Sequence, residues 1–172
     1  MLRSLGKMLG CTAAALVLGA GPATAESVVI GEDAGDASGP LDITRVKVDN
    51  GDHALVASVR YDGSSRGNLV VSIDQRGGRG VRLISEHRPV GHTTDLVVGR
   101  AFSDHGGSSA RIPCPGFRVT WSADEPTVRL RMPSSCLGGG DYGAIRFVVL
   151  TEDASGGDSD DSYPVSPWLA RG

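Results

Sequence analysis

Several sets of residues in this chain have the types needed for chemistry. Gly63-Ser64-Ser65-Arg66-Gly67 matches G-x-S-x-G, the turn that presents a nucleophilic serine in many hydrolases. That turn works between a strand and a helix, where the serine is exposed beside backbone N–H donors. Here strand-like runs lie on both sides, so the tract reads as a glycine-serine hairpin loop. His87, His92 and His105, with Asp95 and Asp104, supply the residue types of a triad or a zinc site. Their spacing matches no H-E-x-x-H or comparable ligand pattern, and they read as exposed loop histidines. Asp153, Asp158, Asp160 and Asp161 could offer oxygens to calcium. No EF-hand register of glycine and glutamate fits them, so Glu152 to Asp161 reads as a solvated, mobile acidic loop. No catalytic residue, metal or cofactor is assigned.

Sugar recognition needs exposed flat rings with a large apolar face. Tyr61, Phe102, Phe117, Trp121 and Phe147 fall in the inward phase of alternating runs. Tyr142, Tyr163 and Trp168 remain as candidate ligand-binding rings. Trp168, within Ser166-Pro167-Trp168-Leu169, reads more readily as a pin that holds the C-terminus onto the fold.

The elements that must position these residues begin after residue 25. Arg3 and Lys7 precede an apolar run from Leu9 to Gly21, and Ala23-Thr24-Ala25 supplies small residues before a cleavage point. This is the pattern of a secretory signal peptide, cut between Ala25 and Glu26, and it predicts a secreted protein. The apolar run is too short to cross about 30 Å of hydrocarbon as a helix, so no membrane span is expected. Lipidation at Cys11 is disfavoured because Cys11 precedes most of the apolar run. Loss of that segment leaves Cys114 and Cys136, an even pair in an oxidising compartment, which predicts a disulfide. The expected organisation is a signal peptide over 1–25, a flexible leader over 26–40 and a β-sandwich domain over 41–172.

Composition narrows the class further. The 172 residues are 40% apolar and 22% charged with a net charge of −3, which excludes a disordered chain. The acidic balance argues against a nucleic-acid partner, which normally meets a basic patch. One domain is expected from the length, and a monomer is the expected state.

Period-two alternation dominates, and no segment carries a helical stripe. Leu41 and Ile43 lie in one phase and Val46 and Val48 in the other, which predicts a β-bulge near Thr44-Arg45. Asn50-Gly51 is a strong hairpin signal, followed by Leu55, Ala57, Val59 and Tyr61 in one phase. Further strands are marked by Leu69 to Ile73, Val81 to Ser85, Leu96 to Phe102, Phe117 to Trp121, Val128 to Met132 and Ile145 to Leu150. The last of these is apolar in both phases near its end and is expected to be central. About eight strands in an all-β, antiparallel sandwich with one disulfide are expected. Matching inward residues places Trp121 opposite Val128, Val119 opposite Leu130 and Phe117 opposite Met132. That register brings Cys114 opposite Ser135, one residue from Cys136.

The run Leu41-Asp42-Ile43-Thr44-Arg45-Val46-Lys47-Val48-Asp49-Asn50-Gly51 resembles the first strand of a group of uncharacterised secreted actinobacterial β-sandwich proteins. Met132-Pro133-Ser134-Ser135-Cys136-Leu137-Gly138 and the terminal Pro167-Trp168 are similar to segments of the same group. More distantly, the strand order resembles extracellular modules of the CBM9-like and DOMON type, which bind sugars or haem. Met132 is the only methionine after position 25, so no haem is expected. The resemblance implies a secreted, non-catalytic binding module with a glycan or other cell-envelope component as partner. The alternative is a structural or protein-interaction domain of the cell surface with no small-molecule ligand.

Overall fold

A computed structural model of the protein describes residues 25–32, 35, 41–63, 66–99, 110–122, 124–155, 159–161 and 165–172, with backbone alone at 159–161. The expected signal segment before residue 25 lies outside the described residues, as does Phe102. The described residues form eleven strands and two short 3-10 turns, and no α-helix. In chain order the strands are β1 (Glu26–Gly31), β2 (Asp42–Asn50), β3 (Ala54–Asp62), β4 (Gly67–Gln75), β5 (Val81–Arg88) and β6 (Gly91–Val98). They continue as β7 (Arg118–Trp121), β8 (Thr127–Pro133), β9 (Ala144–Glu152), β10 (Ser159–Asp161) and β11 (Leu169–Ala170), with the 3-10 turns at Ser134–Cys136 and Gly138–Gly140.

These strands make two antiparallel sheets, ordered β1-β2-β3-β8-β7 and β10-β9-β4-β5-β6, with β11 also paired to β9. The chain fills the first sheet with β1 to β3, crosses for β4 to β6, returns for β7 and β8, and crosses again. Alternating side chains from each sheet point at the other. Val46, Val48, Leu55, Val59, Leu130 and Met132 of the first sheet share one buried cluster with Leu69, Ile73, Leu83, Phe147 and Val149 of the second. Removing such side chains from water is the dominant stabilising term in a fold of this kind.

The alternating runs of the sequence fall in β2 to β9, although β6 begins at Gly91 and ends at Val98 where Leu96 to Phe102 was expected, and the strands beyond the expected eight are β1, β10 and β11. β1 lies where a flexible leader was expected and pairs along its length with β2, from Glu26 opposite Asn50 to Gly31 opposite Arg45. Its Val28 and Ile30 pack against the core. β10 lies inside the expected acidic loop and pairs with the end of β9, Asp161 opposite Leu150. Short edge strands are held mainly by backbone hydrogen bonds, so their sequences need no strong alternation.

Other expectations are met or altered in detail. The register between β2 and β3 shifts between Ile43 and Arg45, at the expected bulge. β9 lies between β4 and the short strands β10 and β11, while β4 holds the centre of its sheet. Val148 and Leu150 on the outer face of β9 are half-buried. Asn50 pairs with Leu55, and the Gly51 N–H donates to the Ala54 carbonyl at 3.1 Å, so the hairpin connection is longer than two residues. The tract 63–67 is not a hairpin loop: it carries the chain from β3 in the first sheet to β4 in the second. At its end Gly67 is required by close approach, because an added Cβ would lie 2.8 Å from Leu41 Cδ1 and closer still to the Glu152 carbonyl.

β7 and β8 adopt the expected register, with Trp121 opposite Val128 and Val119 opposite Leu130. Below the ladder Cys114 and Cys136 are bonded, with Cα atoms 5.5 Å apart. That separation is ordinary for a disulfide, and the 3-10 turn at Ser134–Cys136 absorbs the one-residue offset. No helix among the described residues is long and apolar enough to cross a membrane.

Candidate functional site

Of the ring candidates, Tyr142 is buried and Trp168 is half-buried. Tyr142 is 5% exposed, and its hydroxyl donates to Asn50 Oδ1 at 3.0 Å. Asn50, itself buried, donates from Nδ2 to the Leu169 carbonyl at 3.0 Å. The Arg171 guanidinium lies 5.2 Å from the Tyr142 ring centre. Burial pushes the Tyr142 phenol above its ordinary value of 10.0, with Arg171 opposing and Asp52 adding to the rise. Trp168 is half-buried between Arg76 and Arg146, whose guanidinium carbons lie 5.0 and 4.9 Å from its ring centre. Arg146 is held in turn by Asp74 Oδ2, at 2.9 and 3.1 Å. Trp168 therefore anchors the C-terminal segment against the second sheet. Tyr163 lies outside the described residues.

Of the polar sets, only some members are among the described residues. His87 stacks on Trp121 with ring centres 5.0 Å apart, and Trp121 Nε1 donates to Ser85 Oγ at 3.0 Å. Asp95 is paired to Arg111 at 2.9 Å. His92 faces His87 across the β5–β6 pair, while Asp104 and His105 lie outside the described residues. Ser64 and Ser65 of the G-x-S-x-G match also lie outside them. Asp153 Oδ1 accepts from the Ser155 N–H and hydroxyl, both at 2.7 Å, which closes a turn locally. Asp158 lies outside the described residues, and the side chains of Asp160 and Asp161 are not described. Among the described residues no three of His, Cys, Asp and Glu gather to hold a metal.

A different surface emerges from the strand order. Residues between the inward positions of β2, β3, β8 and β7 point to the outer face of the first sheet, because successive strand side chains alternate. The register lays them out in rows. Arg45 faces Arg60, and Arg60 faces Thr127. In the next row Lys47 faces Ser58, Ser58 faces Arg129, and Arg129 faces Thr120. In the third, Val56 faces Arg131, and Arg131 faces Arg118. Arg45, Arg60, Arg118, Arg129 and Arg131 are all exposed.

The centre of this face is an open depression of about 330 Å³, lined among others by Arg45, Lys47, Arg60 and Arg129 with Asp49 and Glu125. Lys47 is paired to Asp49 at 3.1 Å. Among the described residues no ion pair engages the arginines of this face. The Thr127 hydroxyl is buried in the wall with no partner among the described residues. Two direct arginine–arginine oppositions, Arg45 with Arg60 and Arg118 with Arg131, stand on one sheet. Like charges directly opposed across a strand pair destabilise it, so this arrangement costs stability that an anion on the face would return. Alternation in the sequence places Arg60, Arg129 and Arg131 opposite the inward phase of their strands. It missed their convergence, because the neighbours of β3 and β8 are known only from the sheet order.

Comparison with known proteins gives no family model that matches the chain, and no match among curated proteins or solved structures.

Proposed function

We propose that the protein is a secreted, non-catalytic β-sandwich binding module that holds a carbohydrate component of the cell envelope on the outer face of its first sheet. The observation that carries this reading is the exposed arginine face around the open depression, whose arginines have no ion pair among the described residues. Such a face is concave and polar, and its cations are on strands rather than loops, so their spacing is held by the ladder. Export is supported by the N-terminal pattern and by the disulfide, which persists in oxidising compartments. β1 begins at Glu26, directly after the expected cut.

Co-sedimentation with isolated cell walls tests the reading. The mature protein is expected to pellet with walls stripped of protein and lipid and to remain soluble without them. Retention only on walls that keep their proteins would favour the second reading, a protein-interaction domain with no small-molecule ligand. That alternative draws support from the internal use of Tyr142 and Trp168.

A further inference from the structure

We infer that the ligand of this face is an anionic polysaccharide, read by a diagonal stripe of arginines across the first sheet. This rests on the binding-module reading above and names its ligand class. The stripe runs from Arg45 on β2 and Arg60 on β3, through Arg129 and Arg131 on β8, to Arg118 on β7. Strand spacing and rise per residue give it a length of roughly 20 Å. A stripe of that length suits a linear chain bearing repeated carboxylate or phosphate groups better than a single small anion. Arginine forks bind such groups through paired N–H donors. The net charge of the whole chain is −3, so the cationic stripe is a local concentration and not a reflection of a basic protein.

The side chains between the arginines select among polyanions. Ser58 and Thr120 supply hydroxyls, and no aromatic residue occupies the outward positions of β2, β3, β8 or β7 opposite them. Neutral sugars are usually held on exposed rings, and single-stranded nucleic acid on stacking platforms. Neither is provided here. Duplex nucleic acid is read by a helix or two-stranded ribbon inserted in a groove, whereas this face is the broad side of a five-stranded sheet. Charge with hydrogen-bonding hydroxyls fits an acidic sugar chain.

The test measures binding of the mature protein to polygalacturonate, to neutral dextran and to a single-stranded DNA oligomer. Polygalacturonate is expected to bind, with affinity falling at least about tenfold from low to high salt as counterions compete. Dextran is expected not to bind, and the DNA to bind more weakly than polygalacturonate. The double variant R60Q/R129Q should lose about tenfold in affinity, while R111Q, with its cation on the other sheet, should bind as wild type. Thermal unfolding of each variant separates lost binding from lost folding, and R60Q/R129Q should melt no lower than wild type because a like-charge opposition is relieved. Equal binding to dextran, tighter binding to DNA, or an equal loss in R111Q would overturn the inference. Wall co-sedimentation of R60Q/R129Q at the wild-type level would overturn it, and with it the placement of the ligand on this face, while wall binding by the wild type would still mark a binding module. Failure of the wild type to bind walls as well as polygalacturonate would remove both.

Discussion

The phenol of Tyr142 and the carboxamide of Asn50 meet at 3.0 Å inside the protein although 92 positions separate them in the chain. Asn50 closes β2 and passes the connection on to Leu169 in β11. One buried amide thus ties the β2–β3 hairpin of the first sheet to the C-terminal strand of the second. Asn50→Ala removes the partner of both the phenol and the Leu169 carbonyl, and each orphaned group carries its desolvation cost. A loss on the order of 3 kcal/mol is expected, read as a lower denaturant midpoint with an unchanged slope.

Alkaline pH should act through the same phenol. Burial raises the Tyr142 and Tyr61 phenols above the ordinary 10.0, so the folded protein keeps protons that the unfolded chain releases. Stability is therefore undiminished below pH 10.0 and falls as pH rises beyond it toward the folded values. Ultraviolet titration should show two phenols ionising late in the native protein and at the ordinary value in denaturant. Native phenols that all titrate near 10.0 would contradict the burial described for these rings.

Tyr61 differs from Tyr142 in having a buried hydroxyl with no hydrogen-bond partner among the described residues. Its ring packs at 6.1 Å from that of Trp121. Tyr61→Phe keeps the ring and removes the orphaned oxygen, so stability should stay within about 1 kcal/mol of wild type or rise. A large loss in equilibrium unfolding would show that the hydroxyl has a partner in solution.

The disulfide closes the open end of the β7–β8 hairpin. Cys114 and Cys136 are 22 positions apart, and closing a loop of that size stabilises by about 3 kcal/mol on the entropic model. Cys136→Ser should melt well below the oxidised wild type and match the wild type treated with reductant. Non-reducing peptide mapping should recover the linked pair from the purified protein.

Much of this fold is legible residue by residue. Alternation assigns each side chain of β2 to β9 to an inside or an outside, because a strand turns its side chains over every second position. The phase slip at Thr44-Arg45 marks the bulge, and matching inward residues around Asp124-Glu125 sets the β7–β8 register and with it the disulfide. Those are local facts, settled within one strand or one hairpin. Alternation carries no label for which strand lies next to which. The tract 63–67 therefore reads as a hairpin loop although it crosses between sheets, and the edge strands β1 and β10, held by backbone pairing, leave little trace in side-chain pattern. Asn50 and Tyr142 look like a turn residue and a surface ring until the C-terminal strand is laid against β9 and buries them. The arginines of β2, β3, β8 and β7 are spread along more than half of the chain and become one charged stripe only when the sheet order sets their strands side by side, because like charges meet across a ladder at contact distances that sequence separation does not encode.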